Sequence, residues 1–198
     1  VRFKIEPRES GSGIEYNSLV GVNQVAQRYQ NEIERTIPLA LKQGMLGWEV
    51  TDIKITLIDG EHHTIHSRAG DFAVATPMAI MNGLKAIGTT LLEPILDFTI
   101  TGPEDTCGKV IGSLTQLRAE IGNPLVSDDT FSLKGTLPVA TSLNYAARLS
   151  SFTGGKGKLA TRFSGYRACP LELGATTPFR GISPLDRSKY ILQARKAL

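Results

Sequence analysis

Three histidines, His62, His63 and His66, fall within five consecutive positions, and the chain has no others. Imidazoles three or four residues apart can converge on one metal ion, and the acids Glu61 and Asp71 stand close by. The surrounding pattern is poor for that chemistry. There is no His-Glu-x-x-His, and neither Cys107 nor Cys169 is near. Ser67 and Asp71 would complete a serine hydrolase set by residue type, but no Gly-x-Ser-x-Gly elbow presents the serine. The expectation is therefore no catalytic residue and no metal ligand, with a His-cluster metal protein or hydrolase as the alternative of another class. The bland alternative is a solvated loop without a role. Asp59-Gly60 just before the cluster is a turn signal, because Gly accepts positive φ at no steric cost. The histidines thus belong to a tip, and a tip of ring-bearing, titratable side chains suits a contact surface.

A second candidate is Gly102-Pro103-Glu104-Asp105-Thr106-Cys107-Gly108-Lys109-Val110, which has the outline of a phosphate loop. Five residues separate its glycines where four are required, Val110 stands where Ser or Thr would hold the metal, and two acids would face the phosphates. Nucleotide binding in this chain is not expected. A third is the glycine turn Thr153 to Lys158, whose Lys156 and Lys158 either border an edge strand or touch a phosphate backbone. With His63, His66, Arg68 and a C-terminal helix bearing Arg187, Lys189, Arg195 and Lys196, these form a distributed set of donors. Such a set suits a large folded RNA read by shape and phosphate.

The elements that must position these residues follow from periodicity. Residues 1–5 alternate as a half-buried strand, and residues 14–20 are a second strand. Asn23 is a fair cap for a helix whose stripe is Val25, Tyr29, Ile33, Ile37 and Leu41, bent at Pro38 and stopped at Gly44. Residues 49–58 alternate with Ile53, Ile55 and Leu57 on one side. After the tip, Asp71 caps a helix with the stripe Val74, Met78, Met81, Leu84 and Ile87. The chain then turns near Leu92 to Pro94. The second half reads as strand (Leu96, Phe98, Ile100), helix from Gly102, strands at 124–127 and 130–136, helix at 141–150, and strand (Leu159, Thr161, Phe163). That is the split βαβ, ferredoxin-like order. Ser183-Pro184-Leu185-Asp186 starts a last helix expected to bury Leu185, Ile191 and Leu192 and to turn its basic side outward.

Bulk properties set wider limits. The 198 residues carry 22 basic and 19 acidic side chains, a net charge of +3, too mild for a dedicated nucleic-acid binder without a local patch. No run of about 18 apolar residues is present, so no membrane span is expected. Two isolated cysteines fit reduced thiols in a cytoplasmic protein. The chain opens on Val in strand-like sequence, as a fragment of a longer protein would.

Longer stretches are familiar. Gly11-Ser12-Gly13-Ile14-Glu15-Tyr16, Gly44-Met45-Leu46-Gly47-Trp48-Glu49-Val50-Thr51-Asp52 and Leu91-Leu92-Glu93-Pro94 resemble domain IV of elongation factor G and its relatives. Glu104-Asp105, Gly108-Lys109-Val110-Ile111-Gly112, Leu137-Pro138, Asn144-Tyr145-Ala146-Ala147-Arg148-Leu149 and Phe152-Thr153 resemble domain V. Gly47 to Asp52, Ala69-Gly70-Asp71-Phe72 and the tail from Pro178 to Tyr190 are similar to the tetracycline-resistance ribosomal protection proteins. The resemblance implies an α+β chain: a ribosomal protein S5 domain 2-like domain IV at residues 1–93, a ferredoxin-like domain V at 94–182, and a basic C-terminal helix at 183–198. It implies a monomeric, ribosome-binding part of a translational GTPase, with 16S and 23S rRNA and ribosomal proteins as partners. GTP and Mg would belong to a GTPase domain outside this chain, and no cofactor to the chain itself. His62, His63, Thr64, Ile65, His66, Ser67 and Arg68 would form the tip that reaches the decoding centre and releases tetracycline. Lys156, Lys158, Arg187 and Lys189 would be phosphate contacts. Elongation factor G-type translocation is the alternative. One departure stands out: the protection proteins carry Tyr-Tyr-Ser-Pro-Val at the tip, where this chain has His62-His63-Thr64-Ile65-His66, and His63 falls where elongation factor G has a tip histidine.

Overall fold

The computed structural model describes residues 1–197. The chain divides into two compact units, one of residues 1–90 together with the segment from Leu171 onward, the other Leu91–Pro170. This differs from the expected domains 94–182 and 183–198, since the whole C-terminal segment belongs with the first unit.

In the first unit, β1 (Arg2–Pro7), β2 (Ile14–Ser18) and β3 (Ile53–Asp59) form a sheet in the order β1-β3-β2. β3 runs antiparallel to β1 and parallel to β2. A parallel neighbour requires a crossover, and α1 (Gln27–Ala40) supplies it between β2 and β3. The alternation of Ile53, Ile55 and Leu57 puts all three in the core, against Tyr29, Ile33 and Ile37 of α1 and Phe72, Ile80, Met81 and Leu84 of α2 (Ala69–Ile87). The expected boundaries move in three places. Asn23 does not cap α1; the helix begins after Ala26 with no side-chain cap, although Val25 is still buried. β3 begins at Ile53 rather than 49, because Asp52 adopts φ 57° and its carboxylate accepts the Gly13 N–H at 2.9 Å. Asp71 is the third residue of α2, not its cap.

The C-terminal segment straps the loop after α1. Trp48 Nε1 donates to the Ala175 carbonyl at 2.6 Å, Thr177 N to Leu46 O at 3.1 Å, and Arg180 N to Gln43 Oε1 at 2.9 Å. Gly47 sits at φ 80°, and an added Cβ would run into the Thr177 carbonyl, so glycine is needed twice over there. Phe179 and Leu185 pack on the first core. The last helix, labelled α6 once α3 to α5 are placed below, spans Arg187–Ala194, and Leu198 of the expected 183–198 helix lies outside the described residues.

In the second unit, β4 (Leu92–Pro103) lies between β7 (Thr130–Pro138) and β8 (Lys158–Ala168), both antiparallel to it. β5 (Glu120–Ile121) and β6 (Leu125–Ser127) pair with β7, giving the order β5-β7-β4-β8. α3 (Cys107–Gln116) and the short pair α4 (Val139–Ser142) and α5 (Tyr145–Phe152) complete the ferredoxin-like unit. The expected α+β class therefore holds. The helix expected from Gly102 starts later: β4 continues through Pro103, which pairs with Thr130, and a 3-10 turn at Glu104–Thr106 leads into α3. Phe98, Ile100, Val110, Leu114, Phe131, Leu133, Leu137, Tyr145 and Leu149 make its core. Near its rim the buried Glu93 receives two N–H groups from Arg118, at 2.9 and 2.8 Å.

Candidate functional site

The histidine cluster fills the loop between β3 and α2, at one end of the first unit. Each end of the loop is fixed. At its start, His62 N donates to the Gln24 carbonyl at 3.2 Å, and His62 Nδ1 lies 2.8 Å from the same oxygen. A carbonyl only accepts, so Nδ1 carries the proton and the neutral ring keeps its lone pair on Nε2. At the far end the Arg68 backbone N–H donates to Asp71 Oδ2 at 2.8 Å, and Asp71 N returns a bond to Arg68 O at 3.0 Å. Asp71 thereby places a carboxylate at the positive end of α2.

From below, Tyr29 rivets the loop to α1. Its ring is 1% exposed, stacks on Phe72 at 4.7 Å and tilts against His62 at 5.4 Å. Its hydroxyl donates to Ser67 O at 2.6 Å and accepts from Arg28 Nη2 at 2.8 Å. Between these anchors Ser67 N donates to His63 O at 3.0 Å, Ser67 Oγ accepts from His63 N at 2.9 Å, and the His63 and His66 rings stack at 4.6 Å. His63, Thr64, Ile65, His66 and Arg68 are exposed, and Ile65 is 78% exposed.

The seven tip residues are thus brought together, but the other expected contacts are not. Lys156 and Lys158 lie in the second unit, exposed at the turn between α5 and β8. Lys189 is paired with Asp186 at 3.3 Å, and the Lys189 backbone N–H and ammonium together hold the Asp186 carboxyl below its ordinary range. Arg187 and Arg195 border a shallow cleft with Val74, Met78 and Ile191, and Arg187, Lys189 and Arg195 are all exposed, so the basic residues of this segment do face outward. Leu192 is 43% exposed, against the expectation that it packs inward, while Tyr190 and Ile191 are half-buried. Among the described residues no group of three or more His, Cys, Asp and Glu side chains is placed to hold a metal ion. No described helix is long and apolar enough to cross a membrane.

Sequence reasoning missed Gln24 and Arg28. Gln24 acts through a backbone carbonyl, which no side-chain pattern reports. Tyr29 was legible only as a core residue, since its stripe position says nothing of where its hydroxyl points. We expect Tyr29→Phe to cost about 1 kcal/mol, the net worth of one hydrogen bond, and to broaden the amide signals of residues 63–68 in NMR spectra. Sharp, unshifted tip signals would show that the hydroxyl does not restrain the loop.

Comparison with known proteins places this architecture. Residues 1–87 match the family described as elongation factor G, domain IV, and residues 90–176 the family described as elongation factor G C-terminus. The tetracycline resistance protein TetP of Clostridium perfringens is 37% identical over 198 residues, covering 100% of this chain. The tetracycline resistance protein TetO of Campylobacter coli is 33% identical over 191 residues, 96% of this chain. The chain spans about 30% of the length of each of these relatives. A crystal structure of a protein from Thermus thermophilus superposes with a TM-score of 0.75 at 25% identity, over 98% of this chain and 27% of that one.

Proposed function

The chain belongs to the elongation factor G family, carrying its domain IV and its C-terminal domain, and from that premise we propose that it is the ribosome-engaging end of a ribosomal protection-type translational GTPase. The observation that carries this reading is the tip. Seven exposed or half-buried residues, His62 to Arg68, project from the end of β3 on a loop held at both ends and from beneath. Preorganisation of that kind is wasted on a passive loop and useful for insertion into a crowded site.

The two leading histidines offer complementary chemistry. His62 presents an Nε2 lone pair, because its Nδ1–H is spent on Gln24 O. His63 presents an Nε2–H, because its Nδ1 accepts from the backbone. One can accept from a ribose hydroxyl or base amine while the other donates to a phosphate oxygen, and both rings have faces for unstacked bases. In this reading the tip enters the decoding region of 16S rRNA and displaces tetracycline. The second unit and α6 make further contacts to rRNA and ribosomal proteins through Lys156, Lys158 and Arg187. GTP and Mg belong to a GTPase domain elsewhere in the parent, a cytoplasmic protein, and this part acts as a monomer without a cofactor.

A second reading, translocation in the manner of elongation factor G, is favoured by His63 standing where that factor has a tip histidine. Expression of the full-length parent in a tetracycline-sensitive strain separates the two. Growth in the drug supports protection. Unchanged sensitivity, with restored growth in cells depleted of elongation factor G, supports translocation.

A further inference from the structure

The tip turn is held from inside by one of its own rings. His63 Nδ1 lies 3.2 Å from Ile65 N and 3.3 Å from His66 N, and both N–H groups donate to it. An acceptor placed two and three residues ahead of two amides does what an Asn or Asp side chain does in a turn. The His63 backbone is engaged as well, its N–H with Ser67 Oγ and its carbonyl with Ser67 N. The turn 63–67 therefore closes almost entirely on one residue. An imidazole nitrogen can accept only with its lone pair free, so these bonds require the neutral ring with its proton on Nε2.

We propose that His63 is the positioning residue of the tip: its neutral ring holds the turn, and a proton arriving at Nδ1 releases it. In imidazolium both ring nitrogens are donors. Nδ1–H would then face two N–H groups, and the turn must open or the ring must swing out. The bonds are made to the deprotonated form, so the turn is held at higher pH and is lost on acidification, when the ring takes up a proton. The surroundings do not hide this. His66 stacks on the His63 ring at 4.6 Å and is its nearest titratable neighbour. His62 and Glu61 precede the turn, and Arg68 and Asp71 follow it, with one Asp71 oxygen already accepting the Arg68 N–H. From α1 comes Arg28, seated on the Tyr29 ring and hydroxyl. That the turn matters for drug protection rests on the proposed function; that it exists and is proton-sensitive does not.

The test uses this chain alone, free of ribosomes, with nitrogen-15 labelling, as wild type, His63→Asn and His63→Ala, between about pH 8 and about pH 5. In wild type near pH 8 the His63 Nδ1 resonance should be that of an unprotonated nitrogen, and the Ile65 and His66 amides should exchange about tenfold more slowly than in His63→Ala. Acidification should abolish that protection in step with protonation of His63, while core amides of β3 stay unchanged. An asparagine side chain can accept the same two N–H groups but does not titrate, so His63→Asn should restore the protection and make it independent of pH. Two outcomes overturn the proposal: a proton on Nδ1 near pH 8, or Ile65 and His66 amides that ignore both the His63 protonation state and its replacement by alanine. Neither outcome bears on whether the parent protects ribosomes, so failure here and failure of the functional reading remain distinguishable.

Discussion

Replacing His62 and His63 together with alanine in the full-length parent should lower tetracycline protection by at least on the order of tenfold to a hundredfold, since the loss of a single base–ring stack costs about 1–3 kcal/mol. The fold should survive, because neither ring lies in the core: His63 is exposed and His62 only half-buried. GTP turnover by the remote GTPase domain should be largely preserved. The single variants separate two roles. His62→Ala removes one acceptor and one stacking face but leaves the turn 63–67 standing. His63→Ala removes a contact and the internal restraint together, and should be the more damaging. Minimal inhibitory concentrations for cells expressing each variant measure this directly. A double variant indistinguishable from wild type in drug protection and in translocation would make the tip a passive loop.

The second large effect belongs to the second unit. Glu93→Ala should destabilise it by about 3 kcal/mol, the low end of what breaking a buried ion pair costs. Glu93 is 8% exposed at its side chain and Arg118 is 26%, so the stranded guanidinium keeps some access to water, which argues for the low end. Both Glu93 oxygens are engaged, Arg167 stands a further 3.7 Å away, and Arg118 is held at φ 62°, where a side chain needs a reason to sit. Hydrogen bonding to the Glu93 carboxylate pushes the Arg118 guanidinium further above its already high range. Urea unfolding followed by amide signals of β4 and β7 gives the loss. A change under about 1 kcal/mol would place the pair among ordinary surface ion pairs. The double variant Glu93→Ala/Arg118→Ala should recover part of the loss, because it removes the unpaired charge.

Much of this was legible in the residues themselves. The stripe from Val25 to Leu41 and the alternation of Ile53, Ile55 and Leu57 fixed one helix and one central strand, because burial selects one side chain in two on a strand and roughly one in four on a helix. Boundaries were less legible, and the reasons are local. Pro103 looks like a helix opener, but its missing N–H costs nothing where β4 ends, so the strand runs through it. Asp52 looks like one more polar position in an alternating strand, yet the amide of Gly13 draws it into a left-handed bend. Long-range placement was beyond periodicity altogether. Nothing in residues 171–182 says that they cross to Gln43, Leu46 and Trp48, because backbone carbonyls make most of those bonds. The same limit governed the tip. Residue types located it, but only the geometry shows that His62 and His63, adjacent and chemically identical, carry their protons on opposite nitrogens.

The most direct test of the tip's placement is directed hydroxyl-radical cleavage from Ile65→Cys, whose 78% exposed parent side chain can be lost without disturbing the core. The full-length parent carries an iron chelate on that cysteine, with Cys107 and Cys169 replaced by serine, and is bound to ribosomes in a non-hydrolysable GTP analogue. Strand scission is expected in the small-subunit rRNA of the decoding region, suppressed when unlabelled parent competes. Cleavage confined to other rRNA segments, or none above background on ribosomes shown to carry the protein, would contradict that placement.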